Sequence, residues 1–316
     1  MSKAIDVMWK LVDTVVRESK YVHIDEYLID DLACDVTDWS RCGMTSDLRE
    51  GKVDVPDGVG TAQDLFMYYL MADAVNFCYW YGNEAWRPAG SNSSRMEQLL
   101  SEVFLKAEGD VSSHQRQWHH YRELIPKFMD ILTHERFPLI RERRALLKEI
   151  AHADFPGLFE AIFHRESAKY ISFDTCFSRL LMDVPGYSSD MFLKRASLFF
   201  FELWKRRGHF PNQLNTSWAA EIKTLPVPID YHIPNVLRYL ECIRYGGRLV
   251  KMVDHGDLIP QGSRMEIEIR AASAYVCRYL GELTHLGPVE IDDFLFNQRG
   301  EAKGLNPIHL TITTDY

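Results

Sequence analysis

The sequence predicts a mainly α protein, one domain over residues 1–316 with two helical lobes around a single cleft. Three observations predict it. Apolar residues recur at helical spacing through most of the chain. Only residues 266–270 and the tail 308–316 look like strands. No linker cleanly divides the chain, and no internal repeat or low-complexity tract appears.

Helices are expected over 4–17, 24–36, 61–75, 94–107, 114–132, 138–151, 156–182, 190–206, 234–245 and 263–284. The helix starting near Thr61 runs into an aromatic stretch, Asn76-Phe77-Cys78-Tyr79-Trp80-Tyr81. Residues 82–95 are rich in Gly, Asn, Ser and Pro and read as a loop, as do 208–217 and 297–307. The helix over 138–151 carries Arg141, Arg143, Arg144 and Lys148 beside Glu142 and Glu149, the pattern of a solvated, salt-bridged face. Residues 190–206 are apolar on more than one face, which predicts a central, buried helix. The Arg207-Gly208 pair ends it. Glu266-Ile267-Glu268-Ile269-Arg270 alternates, but it runs straight into Ala-Ala-Ser-Ala-Tyr-Val-Cys, so it reads as helix. The tail 308–316 is β-prone.

Composition narrows the function classes. Of 316 residues, 46% are hydrophobic and 26% charged, enough for a sizeable core. No apolar run reaches the length of about 18 that a membrane span needs. The start Met-Ser-Lys-Ala-Ile-Asp-Val lacks the basic and apolar regions of a signal peptide. The six cysteines are scattered and without a Cys-x-x-Cys pair, which predicts buried free thiols in a reducing, cytoplasmic setting. A net charge of −9 argues against a nucleic-acid polymer as partner. A small-molecule partner and no membrane are expected. The twelve histidines include no His-Glu-x-x-His, so neither metal nor cofactor is expected. A Walker A loop, a Gly-x-Ser-x-Gly elbow and a Gly-x-Gly-x-x-Gly loop are all absent.

Chemistry concentrates in a few places. Asp230 sits among Pro226, Pro228 and Pro234. Proline fixes φ and keeps the preceding residue out of the α region, so this stretch is a stiff lead into a helix with Pro234 in its first turn. An aspartate there can cap the helix. It can also be a carboxylate aimed into a cleft, with a helix N-terminus favouring its negative charge. The pattern leaves both open. The aromatic run 76–81 could stack on a planar base, worth about 1–3 kcal/mol, with Asn76 reading its edge, or it could be core packing. Lys194 and Arg195 interrupt the buried helix. They could bind phosphate or pair with Asp230, or emerge as solvated charges at a rim.

Taken in order, several stretches resemble the queuosine salvage family, the queuosine 5′-phosphate N-glycosylase/hydrolases. Residues 18–25, Glu-Ser-Lys-Tyr-Val-His-Ile-Asp, fit loosely. Asn76-Phe77-Cys78-Tyr79-Trp80 looks like the family's aromatic block, and Phe137-Pro138-Leu139-Ile140-Arg141-Glu142-Arg143 its Pro-Leu helix. Arg165-Glu166-Ser167, Phe192-Leu193-Lys194-Arg195-Ala196 and Asp230-Tyr231-His232-Ile233-Pro234-Asn235-Val236-Leu237 are similar to three further blocks. Glu266–Arg270 and the terminal His309 with Tyr316 complete the order. Residues 86–95 lack the family's aromatic, Gly-rich stretch; His232 stands for a usual Arg, and Asn235 for a Gln.

The resemblance implies a helical fold similar to helix-hairpin-helix DNA glycosylases. It implies hydrolysis of the N-glycosidic bond of queuosine 5′-monophosphate, releasing queuine for reuse in tRNA. It implies Asp230 as the catalytic carboxylate, stabilising an oxocarbenium-like transition state and positioning water, with Lys194 in the active site. Asn76, Phe77 and Trp80 would line the base pocket, with Arg195, Tyr231, His232 and His309 as further substrate contacts. The alternatives are an N-ribohydrolase for a different nucleotide and a non-catalytic nucleotide-binding protein.

Overall fold

A computed structural model describes residues 3–80, 92–110, 112, 116–135, 137–163, 172–211 and 217–316. The molecule is mainly α. Helix α1 (Lys3–Arg17) buries Ile5, Met8 and Val12, a stripe at helical spacing. Strand β1 (Val22–Ile24) follows, then α2 (Glu26–Cys42), capped by the Asp25 carboxylate. A short α3 (Ser46–Glu50) leads to α4 (Ala62–Ala74). The Thr61–Asp64 capping box starts α4, and the buried Asp64 carboxylate also takes Arg116 at 2.6 Å and the Tyr121 hydroxyl at 2.9 Å. Every residue of α4 from Asp64 to Ala74 is buried, so its far end is held rigidly where the cavity described below opens.

The chain continues through α5 (Asn92–Asp110), α6 (Trp118–His134), α7 (Ile140–His152), α8 (Phe155–Phe163) and α9 (Phe173–Asp183). A 3₁₀ turn (Pro185–Ser188) then leads to α10 (Lys194–Lys205), which packs along α4. A second 3₁₀ turn (Ser217–Thr224) precedes the extended proline segment and α11 (His232–Tyr239). Strand β2 (Ile243–Tyr245) pairs antiparallel with β1, Val22 opposite Tyr245. Then come α12 (Gly247–His255), α13 (Arg264–Thr284) and α14 (Pro288–Leu305). Helix α13 packs on α1 and α2, and α14 packs on α11. No described helix is long and apolar enough to cross a membrane.

Residues 266–270 are helical, as expected. Several expectations need correction, among them the end of the loop placed over 82–95, since α5 already begins at Asn92. The helix placed over 234–245 stops at Tyr239, because Glu241 turns left-handed (φ 60°) and Ile243–Tyr245 pairs with β1. The loop placed over 297–307 is α14 as far as Leu305, since Gly300 and Gly304 are tolerated within it. The 156–182 helix is two, α8 and α9; Arg165, Glu166 and Ser167 lie outside the described residues, as do 82–91. The charged face of α7 is only partly solvated: Arg143 is fully buried. Cys34 and Cys42 are exposed, whereas Cys78, Cys176, Cys242 and Cys277 are buried thiols. The tail is extended, and among the described residues it makes one parallel bridge, Leu258 to Leu310.

Candidate active site

A cavity of about 200 Å³ opens between α4, α5 and α10 on one side and residues 228–233 with α14 on the other. Asn76, Lys194, Asp230, Tyr231 and His232 all line it. Five of the nine residues named from the sequence therefore meet in one place, drawn from chain positions more than 150 residues apart.

Asp230 lines this cavity and also ties down the start of α11, from the residue before its N-cap Tyr231. Its Oδ1 accepts the backbone N–H of His232 at 2.6 Å and of Ile233 at 3.3 Å, closing the start of α11. Its Oδ2 has no hydrogen-bond partner among the described residues. One oxygen thus fixes the carboxylate and the other is left for the cavity. Pro228 and Pro234, both buried, stiffen the approach on either side.

Lys194 opens α10. The residue before it, Leu193, is left-handed (φ 57°), a conformation costing a non-glycine residue roughly 1–2 kcal/mol. Asp190 holds that turn: Oδ1 accepts Phe192 N–H at 3.0 Å and Oδ2 accepts Lys194 N–H at 2.8 Å. The Lys194 side chain is 3% exposed, and its Nζ donates to the Asn76 carbonyl at 2.8 Å. It does not emerge as a solvated charge and makes no direct ion pair among the described residues. Burial pulls its ammonium below the usual lysine range, while the fields of Asp230 and Asp73 act in the opposite sense.

A buried ion pair couples these two walls. Arg270 from α13 grips Asp190 through two bonds, of 2.7 and 2.8 Å. The same guanidinium donates to the Ile229 carbonyl at 3.1 and 3.3 Å, one residue before Asp230. Lys194 and Asp230 are therefore positioned by one shared arginine–carboxylate pair, the geometry that resists rotation best.

The rest of the cavity is acidic. Asp73, at the end of α4, is buried, and its Oδ2 has no hydrogen-bond partner among the described residues. Burial, reinforced by Glu202, pushes its carboxyl well above the usual range. Burial also pushes Asp292 up to about 6. Glu97, which α5 brings to the cavity while leaving it largely exposed, is raised by partial desolvation and by the Glu202 charge. Lys205 neutralises part of this, 3.3 Å from Glu202 and 3.6 Å from Asp292, and Arg206 also bonds Glu202. His232 is held below the usual imidazole range by burial, opposed by Asp230. Tyr231, at the same edge, has its phenol raised by burial. Phe296 and Arg299 of α14 complete the far side. Among the described residues no group of His, Cys, Asp and Glu could hold a metal ion.

The other four candidates lie elsewhere. Phe77 is buried beneath Arg143, whose guanidinium stacks 4.3 Å from the ring and donates to the Phe77 carbonyl at 2.5 Å. Trp80 is half-buried and outside the described lining. Arg195 is buried and donates to the Ala74 carbonyl at 2.8 Å and the Gly186 carbonyl at 2.5 Å, tying down the end of α4. His309 is buried against Tyr316, its Nε2 3.2 Å from the phenol oxygen, and burial lowers it to about 3. These placements put all but Trp80 in the supporting layer rather than on the cavity wall. Asp73, Glu97, Glu202, Asp292, Phe296 and Arg299 were not foreseen. A signal existed for Asp73 alone: a carboxylate inside the apolar run Tyr-Tyr-Leu-Met-Ala-Asp-Ala is expensive without a purpose.

A mainly helical protein with a cavity that Asp230 and the buried Lys194 both line is the class this geometry defines. Residues 59–314 match the family model described as queuosine salvage protein, and the chain belongs to that family. The chain is similar to the queuosine 5′-phosphate N-glycosylase/hydrolase of Dictyostelium discoideum, 26% identical over 276 residues, which cover 84% of this chain and 82% of the relative. It is also similar to the protein of the same name from Sphaerobacter thermophilus, 29% identical over 270 residues, 79% of this chain and 80% of the relative.

Proposed function

We infer that the protein hydrolyses the N-glycosidic bond of queuosine 5′-monophosphate, releasing queuine for reuse in tRNA, in a cleft between two helical lobes. Family membership supports the reaction class. The observation that carries the chemistry is the half-occupied carboxylate of the cavity-lining Asp230, one oxygen fixed by two backbone N–H groups and the other without a hydrogen-bond partner among the described residues.

Breaking the bond between C1′ and the base nitrogen leaves positive charge on the sugar, and the bonding electron pair departs with the base. A preorganised carboxylate opposite that centre stabilises the charge. It also orients a water, whose oxygen bonds to C1′ while one proton passes to the carboxylate and on to solvent. The departing base takes up a proton. A deazaguanine lacks the imidazole-type nitrogen that acid catalysis of purine loss uses, so its negative charge must be met by hydrogen bonds, to which the Asn76 side chain and Lys194 are suited. Neither cofactor nor metal enters this sequence. The −9 charge fits a mononucleotide better than a nucleic-acid polymer, and the reading carries a cytoplasmic location with it.

A second reading, the same hydrolysis on a different nucleotide, is favoured by one observation. His232 and Asn235 stand in the block where the family usually has Arg and Gln, and His232 lines the cavity. The test is mass-spectrometric detection of free base after incubation with queuosine 5′-monophosphate and, in parallel, GMP, IMP and AMP. Queuine release from the first alone is expected. Base release only from another nucleotide selects the second reading. Binding without any release refutes both in favour of a binding protein.

A further inference from the structure

We propose that Tyr316, in the extended tail, is a positioning residue for the hydrolysis: its ring steadies Arg270, and its main-chain carbonyl steadies the turn that carries Asn76. This rests on the hydrolase reading above and adds a residue set behind the cavity wall.

Arg270 joins Asp190 to the Ile229 carbonyl, and through them Lys194 to Asp230. Hydrogen bonds fix the edges of a guanidinium better than its tilt, which a ring packed on it restrains. The guanidinium carbon stands 4.4 Å from the centroid of the Phe192 ring and 4.4 Å from that of Tyr316. Phe192 belongs to the turn that Asp190 closes, so it travels with one wall of the site. Tyr316 comes from a separate piece of chain and ties that wall to another. Its carbonyl accepts the Cys78 N–H at 2.9 Å. Cys78 is left-handed (φ 43°), a conformation that a non-glycine residue keeps where its surroundings impose it. Asn76, two residues earlier, gives its carbonyl to the Lys194 ammonium at 2.8 Å. One tail residue therefore reaches both supports of the site, Asp230 by way of Arg270 and Lys194 by way of Asn76.

The tail is built to hold it there. Leu310 bridges Leu258, its carbonyl accepts the Ile259 N–H at 2.8 Å, and Asp315 accepts from Gln261 at 2.8 Å. Thr311 and Thr313 are buried, and Tyr316 is 1% exposed. Tyr316 is outside the cavity lining formed by the described residues, so its influence runs through Arg270 and Cys78. The phenol oxygen lies 3.2 Å from Nε2 of His309. Phenylalanine would give up that contact while keeping the ring over Arg270, whereas leucine would remove the ring.

The experiment compares full-length Tyr316→Phe and Tyr316→Leu with wild type. It measures queuosine 5′-monophosphate affinity, single-turnover queuine release, and amide hydrogen exchange by mass spectrometry. Tyr316→Leu should slow release about tenfold or more with affinity within about threefold, because misalignment is felt in the transition state more than in binding. Tyr316→Phe should stay within about threefold of wild type in both. In Tyr316→Leu, exchange should quicken about tenfold in the segments holding the His232, Ile233 and Cys78 amides and stay near wild type elsewhere. Near-normal release from folded Tyr316→Leu overturns the proposal. So does equal slowing in both variants, which assigns the effect to the phenol, or exchange that quickens throughout the chain, as it would for a core filler. If Tyr316→Leu does not fold, Tyr316→Met is read by the same criteria, and failure of both to fold makes Tyr316 structural and overturns the proposal. If wild type releases no queuine, the hydrolase reading fails, and the exchange pattern then decides the positioning role by itself.

Discussion

Two aspartates, each two to four residues ahead of a helix, accept a pair of backbone N–H groups, and they have opposite consequences. Asp190 meets Phe192 and Lys194 with its two oxygens and then fills both again with Arg270. Burial alone raises its carboxyl, but Arg270 and the backbone donors outweigh it and hold the group below the usual range. Asp230 uses a single oxygen for His232 and Ile233, and nothing among the described residues meets the other. The first carboxylate is fully satisfied and is architecture. The second is fixed but unfinished, and that is what a catalytic group needs: rotation removed while reactivity remains. The same comparison separates two lysines of α10. Lys205 sits between Glu202 and Asp292 and is raised despite its burial, whereas Lys194 has only a carbonyl and is lowered.

The largest expected effect tests the architectural member. Asp190→Asn leaves the buried Arg270 guanidinium with only the longer Glu266 contact, 3.8 Å away, and should cost about 3–5 kcal/mol of stability, read as a lowered denaturant midpoint at unchanged slope. A loss under about 1 kcal/mol would mean that Arg270 finds other partners, and the comparison would fail on that side. Next comes Lys194→Met, which should lower kcat by about a hundredfold while leaving the melting temperature within a few degrees, because no ion pair is broken. A variant that melts early with unchanged kcat would move Lys194 into the architectural group. The smallest effect is in the pH dependence of stability. Asp292 is raised in the folded state to about 6, so its contribution is present below the unfolded value and is lost as pH rises through about 6. Between about pH 4 and 6.5 the wild type should lose on the order of 2 kcal/mol relative to Asp292→Asn. Thermal melts of both proteins across that interval check the sign; parallel curves would contradict it.

Much of this was legible beforehand, and the parts that were not have physical reasons. The buried run 190–206 announced α10 because it is apolar on several faces, and Glu266–Arg270 resolved into helix because the sequence following it is helical. Helix α14 was missed altogether, its second half because Gly300 and Gly304 resemble punctuation; neither glycine would crowd its neighbours if it carried a side chain, so the helix simply continues past both. In the site, Asp230, Lys194 and Asn76 stood out by motif. Phe77 and Arg195 stood out equally and lie behind the wall: Phe77 under Arg143, and Arg195 on backbone carbonyls. A motif records that a residue is needed near a site, not which way it faces. Glu97, Glu202 and Asp292 escaped notice because each is one acid on an ordinary helix, and only packing brings them within one cavity.

On the function proposed above, the open oxygen of Asp230 does the chemistry while its partner oxygen only holds the helix. Asp230→Asn isolates it, because asparagine caps a helix about as well and its Oδ1 can still accept the His232 N–H. The measurement is queuosine 5′-monophosphate affinity and single-turnover queuine release for this variant beside wild type. An unchanged melting temperature, binding within a few-fold of wild type, and release slowed by about a thousandfold or more are expected. Release at near-normal rate from the folded variant would contradict it and reduce Asp230 to a cap.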